Sequence, residues 1–426
     1  MNFIKNKFIR NVILIATGTA GAQIISIIFA PLITRLYGPE AFGVLGTFVA
    51  VLAIMTPIAA LTLPIAIVLP KDDNEAVGIA KLSFFLSLIL SLAVAIVIIV
   101  AENDLIRLMN LEDVSNYLLL IPVAMFLNAL QQIIQQWLIR KKQFKVSARI
   151  AVSQSFIVNV AKVGAGYFYP FGAVLIVITT LGNALYAVQL WLGEKKWVNK
   201  ENKLKLKVET PDAKKIFLKY SDFPKFRAPQ VFLNAISQSF PVLILAAFYG
   251  TSVAGYFTLS KTIISAPAVL LGISIGNVFY AQIVELINLG KNPVRIFQKS
   301  TAITFLIGVL PFGFVMIFGG EVFSFVFGEE WFWAGVYAKY VSVWMLFSLA
   351  ARPAIALIPA IKMQGVFLFL EVFFTILKVM GFLVGIYIYN DPLSSVIIYS
   401  MISAFFYLFL YFLVLKRVNS SDLNYT

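Results

Sequence analysis

Twelve stretches of this chain are apolar and long enough to cross a bilayer, and that pattern leaves one architecture open to it. They fall at about 11–34, 41–69, 76–100, 115–138, 147–169, 172–192, 222–249, 253–280, 297–318, 335–360, 365–388 and 394–415. A helix needs roughly 20 mostly apolar residues to traverse the hydrocarbon core. In lipid, every backbone polar group must find its partner inside the segment or in a closed barrel, so runs of this kind read as α-helices. Composition agrees: 60% of the 426 residues are hydrophobic and 13% charged, where soluble chains run near half apolar and a quarter charged. The first run follows Lys5, Lys7 and Arg10. It exceeds the roughly 7–15 residues of a signal-peptide core and reads as a retained span. The second and eighth runs carry Pro57, Pro64 and Pro267 and are expected to kink or tilt.

The charges sort by side. With the N-terminus in the cytoplasm, twelve alternating spans place Lys71, Lys81, the cluster Arg140 to Arg149, eleven basic residues from Lys195 to Arg227, then Lys291, Arg295, Lys299, Lys362, Lys416 and Arg417 inside. Outside fall only Arg35, Arg107 and Lys339, among acidic residues such as Glu102, Asp104, Glu112, Asp113 and Glu329. That asymmetry is the positive-inside pattern and puts both termini in the cytoplasm. The net charge of +14 is therefore topological, and nucleic acid is not an expected partner.

The sequence Tyr37-Gly38-x4-Gly43 recurs as Tyr249-Gly250-x4-Gly255, 212 residues later, and each copy precedes a span proline, Pro57 or Pro267. Six spans lie between the copies, so both halves share one membrane orientation, as in parallel transporter repeats. The expected organisation is a six-helix lobe over 1–193, a basic cytoplasmic linker over 194–219 and a second six-helix lobe over 220–426, the lobes related by a pseudo-two-fold axis around a central cavity. The linker alternation Lys203-Leu204-Lys205-Leu206-Lys207 reads as a topology-enforcing loop that can also lie on anionic head groups.

The chain has no cysteine and no histidine. Thiolate and imidazole metal sites are excluded, as are His-activated nucleophiles, and no metal or cofactor is expected. Ionisable groups at bilayer depth are costly and mark substrate paths or paired networks. Five qualify: Lys162, Lys261, Arg352 and Lys378 as cations, and Glu371 as the sole carboxylate. A cavity holding such cations suits a phosphate or pyrophosphate, which Arg grips bidentately and Lys as a point charge. Each has a structural alternative: Lys162 can snorkel outward, and Glu371 and Lys378 can pair with neighbouring helices. Glu371 is the candidate coupling carboxylate. Arg35, Asp222 and Arg227 are candidates for entry or gating, with capping and topology as the plainer role. Gln131, Gln135, Asn234 and Gln238 are candidate sugar contacts, with Trp137 or Tyr256 as stacking platforms; helix–helix hydrogen bonding explains the same residues equally well.

An enzyme reading, a membrane glycosyltransferase or polysaccharide polymerase or ligase, lacks support. No Gly-rich nucleotide loop is present, and the longest outside loop offers only Glu102-x-Asp104.

The run Ile33-Thr34-Arg35-Leu36-Tyr37-Gly38-Pro39-Glu40-Ala41-Phe42-Gly43 resembles the first outside turn of the polysaccharide-biosynthesis flippases, the O-antigen and capsule repeat-unit exporters. Tyr220-Ser221-Asp222-Phe223-Pro224, Pro241, and Tyr249-Gly250 through Lys261 to Pro267 are similar to that family's seventh and eighth spans. The wider relationship is to the multidrug/oligosaccharidyl-lipid/polysaccharide superfamily. The resemblance implies a two-lobed bundle in the bacterial cytoplasmic (inner) membrane that works by alternating access. Its cargo would be an undecaprenyl-diphosphate-linked oligosaccharide, moved to the outer leaflet for O-antigen, lipopolysaccharide or capsule assembly. Membrane lipids, polysaccharide polymerase and chain-length machinery are the implied partners, and Lys261 falls where such flippases carry a basic cavity residue. The alternative within the superfamily is a multidrug/cation antiporter, which needs acidic groups for cationic cargo.

Overall fold

The computed structural model describes residues 7–109, 112–197, 203–205, 212–288, 293–358, 361 and 363–419. Regular structure among the described residues is helical throughout: α1 (Lys7–Ala59), α2 (Asp73–Met109), α3 (Leu120–Arg140), α4 (Phe144–Gly166), α5 (Gly172–Trp197), α6 (Ala213–Lys219), α7 (Ala228–Tyr249), α8 (Thr251–Asn288), α9 (Val294–Phe327), α10 (Phe332–Ala350), α11 (Arg352–Leu357), α12 (Gln364–Tyr387) and α13 (Pro392–Asn419). Eight helical segments among these residues are apolar and long enough to cross a membrane by length and composition alone. The longest, Gly18–Ala59, takes in most of the first expected span and the first part of the second, joined without a loop. α3 and α4, at 21 and 23 residues, have the length of a span but are diluted by glutamines and basic residues. α8 runs for 38 residues, and its side chains beyond 270 lie outside the described ones. The chain is an all-α, multi-pass membrane protein.

Contacts divide it into two compact units, Met1–Gly255 and Tyr256–Thr426. The division falls after α7 rather than in the expected 194–219 linker, because α7 packs along α1.

In the first unit, α1 bends at Gly38, whose φ of 66° and ψ of 173° are essentially reserved for glycine. Gly250 at the end of α7 has nearly the same backbone, φ 85° and ψ 168°, so the two copies of the repeat share one turn. Their second glycines also correspond. A Cβ on Gly43 would strike the Thr251 carbonyl, and one on Gly255 would strike the Pro39 carbonyl and lie 3.0 Å from the Gly43 nitrogen. Each copy's glycine thus admits the other copy's backbone, the reciprocity expected of a local two-fold relation. Lipid tails are as apolar as Leu, so such close packing, rather than exclusion from water, holds spanning helices together. The first leg of α1 obeys the same logic. It packs on α4, Gly18 meeting Ala148. Ser26 and Ser155 share a hydrogen bond of 3.2 Å, and the Ser155 hydroxyl donates to the Ala22 carbonyl at 2.8 Å.

The second expected span, 41–69, is α-helical only to Ala59. The helix passes through Pro57 and breaks where Leu61 and Thr62 turn left-handed, at φ 49° and 58°. A buried 3₁₀ turn, Leu63–Val68, follows, with Pro64 in its first positions. Proline supplies no N–H and suits the start of a new turn. The second unit shows a comparable break. The expected tenth span, 335–360, is α10 followed by α11, separated at Ala351 with Pro353 opening α11. α9 and α10 approach closely through Gly319, Gly320 and Gly335, and the Ser260 hydroxyl donates to the Ala334 carbonyl. α12 and α13 meet through Phe374 and Phe406, ring centroids 5.1 Å apart, and Trp344 of α10 lies edge-on to Tyr399 of α13 at 5.3 Å.

Candidate functional site

The embedded charges divide between the units. Lys162, on α4 in the first unit, is half-buried. Its carbonyl accepts a 2.8 Å hydrogen bond from the Tyr37 hydroxyl, which ties the Gly38 turn to α4. Lys261, Arg352, Glu371 and Lys378 belong to the second unit. Lys261 is half-buried on α8. Arg352 opens α11 at the break after α10. Its Nε is buried without a hydrogen bond among the described residues. Lys378 is buried, with its ammonium 5.2 Å from the Phe406 ring centre, within cation–π range. Glu371, half-buried two turns earlier on the same face of α12, is its electrostatic neighbour. Lys378 and Glu371 thus share one face of α12, two turns apart, and Lys162 lies in the other unit.

The polar candidates separate in the same way. The Gln131 side-chain amide donates to the Asn183 carbonyl at 2.7 Å, binding α3 to α5. Gln135 is half-buried on α3. Asn234, exposed, and Gln238, half-buried, sit one turn apart on α7. Trp137 is corrected as a stacking platform: it is 1% exposed, packed inside the core beneath the 3₁₀ turn, and no sugar can reach its face. Tyr256 is half-buried against Trp331 and Tyr337, with centroids 6.2 and 6.4 Å away. Arg35 is exposed on α1, one turn before Gly38. Asp222 and Arg227 are exposed around a short π-helical segment, Phe223–Arg227. Arg227 donates to Gln230 at 3.0 Å.

Sequence reasoning missed a polar hub at the expected cytoplasmic end of the first unit. Arg140, the last residue of α3, donates to the carbonyls of Pro70, Ile67 and Lys71 at 2.5, 3.2 and 3.3 Å. It thereby satisfies the carbonyls that the 3₁₀ turn leaves without helical partners. The same guanidinium meets Asp73 at 2.9 and 3.0 Å, and Lys141 pairs with the other Asp73 oxygen. Two residues on, Glu75 accepts from Lys219 at 2.5 Å and from the Tyr220 hydroxyl at 3.1 Å, which anchors α6 to the start of α2. The bond to Glu75 raises the Lys219 pKa above its ordinary value. The available signal was Asp73 and Glu75 in the first turn of a span, where acidic residues suit a helix N-terminus. A second missed feature lies in the second unit: the Trp344 indole N–H and the hydroxyls of Ser342 and Ser400 are buried without hydrogen-bond partners among the described residues.

The family model for polysaccharide biosynthesis proteins matches residues 32–334. The chain belongs to this family. The match takes in both glycine repeats, the arginine hub and Lys261. Solved structures add the fold of this polysaccharide biosynthesis protein. It superposes on the lipid II flippase MurJ, in an inward closed conformation, with a TM-score of 0.76 at 14% identity, over 95% of this chain and 89% of that one. An inward-facing multidrug resistance MATE transporter of the MOP superfamily gives 0.71 at 18% identity, over 93% and 94%. A MOP superfamily transporter from Pyrococcus furiosus gives 0.65 at 16%, over 96% and 95%. Comparison with curated proteins by sequence returned no match.

Proposed function

We propose that this polysaccharide biosynthesis protein is a flippase. Its cargo is an undecaprenyl-diphosphate-linked oligosaccharide, carried from the inner to the outer leaflet of the cytoplasmic membrane for O-antigen or capsule assembly. The observation that carries the reading is the sign of the charges within the helices. At the depths expected from the span boundaries, Lys162, Lys261, Arg352 and Lys378 stand against one carboxylate, Glu371, while acidic residues such as Glu40, Glu102 and Glu321 fall toward the expected span ends. Moving a diphosphate and its sugars through hydrocarbon is prohibitive without a polar path, and cations along that path match an anionic head group. The polyprenyl tail stays in lipid while the two halves expose the path to one leaflet and then the other. Lys261, Arg352 and Lys378 are the assigned diphosphate contacts, with Lys162 as a further cation; Gln135, Asn234 and Gln238 are the assigned sugar contacts. Arg35, Asp222 and Arg227 guard entry, and Glu371 is the group to test for proton coupling. Polymerase and chain-length machinery would receive the product outside.

The second reading, a multidrug/cation antiporter, has the MATE-like fold in its favour. The excess of cations opposes it, and the Pyrococcus furiosus neighbour is described as having a binding pocket whose reverse polarity suggests a different function. The test is complementation of a strain lacking its repeat-unit flippase. Restored surface polysaccharide, lost with Lys261→Glu and retained with Lys261→Arg, supports the flippase. Drug resistance without restored polymer supports the antiporter.

A further inference from the structure

The first unit contains a cavity of about 340 Å³ between α2, α3 and α5, at the linker end of α5. Ala80, Phe84, Leu130, Ile134, Ala184 and Trp191 make its walls apolar. Its carboxylate, Glu194, is 4% exposed and already committed, accepting a 2.6 Å hydrogen bond from the backbone N–H of Leu204. That bond pins the linker segment 203–205 at the mouth, and Leu204 itself lines the cavity. The mouth is basic. Lys195 stacks over the Trp191 ring at 3.3 Å, Lys203 and Lys205 flank Leu204, and Lys195 and Lys203 both act electrostatically on Glu194.

We propose that this cavity takes one acyl chain of an anionic phospholipid, with the lipid phosphate held at the mouth by Lys195, Lys203 and Lys205. Walls of this kind offer a sugar no hydrogen bonds, whereas an acyl chain needs none. The volume lies at the low end for ligand pockets, suited to a single chain and too small for the whole of a long polyprenyl tail. Val188 and Trp191 are exposed on the α5 face beside it, so a chain can enter sideways from the bilayer. One buried chain plus a basic cluster is the combination that makes lipid attachment durable. A Trp at the end of a span also marks the level at which head groups lie. The lipid would fasten the 203–205 segment to the first unit from one leaflet only.

The test uses the full-length protein in phosphatidylcholine vesicles containing a minor fraction of phosphatidylglycerol, with either lipid brominated in mid-chain. The difference between wild type and Trp191→Phe isolates the quenching of Trp191 by bromine. The expected result is stronger quenching by brominated phosphatidylglycerol than by brominated phosphatidylcholine at equal mole fraction, by roughly three- to fivefold. The combined Lys195→Ala, Lys203→Ala and Lys205→Ala variant should erase that preference, and Ala184→Phe, which fills the cavity, should lower quenching by both lipids. Equal quenching by the two lipids in the wild type overturns the proposal, as does a preference that survives the lysine substitutions. Displacement of the brominated lipid by polyprenyl phosphate at lower mole fraction than by unlabelled phosphatidylglycerol would also overturn it, in favour of the polyprenyl tail.

Discussion

Gly255→Ala probes the packing of the two glycine turns directly. The added methyl would overlap the Pro39 carbonyl and lie 3.0 Å from the Gly43 nitrogen. Carbon–oxygen contacts settle near 3.3–3.6 Å, so the opposing backbone must retreat by about 1 Å or more. Both neighbours are main chain and no flexible side-chain end can swing away, which places the cost toward the top of the roughly 1–3 kcal/mol typical of overpacking. Gly43→Ala meets the Thr251 carbonyl in the reciprocal position and should cost a similar amount. Because both methyls force apart the same pair of backbones, the second should cost less once the first is present. The double variant should therefore fall short of the sum by at least about 1 kcal/mol. Thermal unfolding in detergent reads this as a loss of about 2–3 °C for each single variant, at roughly 1 °C per kcal/mol for a chain of 426 residues. Gly365→Ala, with nothing within 4 Å of the new methyl, is the control and should be neutral or slightly stabilising, since Ala is the better helix former. A Gly255→Ala variant as stable as wild type, or strictly additive penalties, would refute the reciprocal contact.

Other outcomes follow from the same geometry. Arg140→Met removes the donors to three carbonyls and to Asp73. It should destabilise by about 2–4 kcal/mol, mostly from buried carbonyls left unpaired, since the half-exposed Asp73 adds little; thermal unfolding checks it, and Arg140→Lys should recover only part. Gln131→Leu should cost about 1 kcal/mol for the lost bond to Asn183, and an unchanged unfolding temperature would refute the α3–α5 tie. The Lys219–Glu75 pair raises the lysine's pKa above 10.5, so its contribution is full below the unfolded value and fades as pH rises through the folded one. Stability of wild type relative to Lys219→Met should be constant from pH 7 to about 10 and converge above that. Glu371→Gln should abolish the pH dependence of transport if this carboxylate carries the coupling proton, and transport with an unchanged pH profile would remove that role.

Much of the chain was legible before any coordinates. Hydropathy is a sum over neighbours in sequence, so it locates spans without knowledge of what they touch, and it did so even where α1 runs two of them together. It failed locally at Thr62 and Ala351. There the composition stays apolar while the backbone leaves the helix, and a sum over side chains carries no record of φ. The glycine repeat was visible as spacing, and its meaning was not: that Gly43 and Gly255 each admit the other's turn depends on a contact across some 212 residues. The embedded cations were identified by type, since any ionisable group at depth is conspicuous. What each faces was invisible, because helical phase alone does not say which neighbour lies opposite: Lys378 of α12 lies over the Phe406 ring of α13, and Lys162 lies in the other unit, its carbonyl taken by the Tyr37 hydroxyl.

Sequence alone thus determined the solvent for which the chain is built, its apolar spans, the types of ionisable residue within them and the repeated Tyr-Gly motif, all of which are local or additive properties. Tertiary structure decided how each polar group is spent. Arg140, one of several basic residues in an ordinary topology cluster, becomes the cap of a broken helix. Trp137, a candidate sugar platform by composition, is sealed in a core. Gln131, equally ambiguous, is given over to a carbonyl of α5. The physical reason is the same in each case: a hydrogen bond or a buried ring is defined by its partner, and the partner is supplied by the fold.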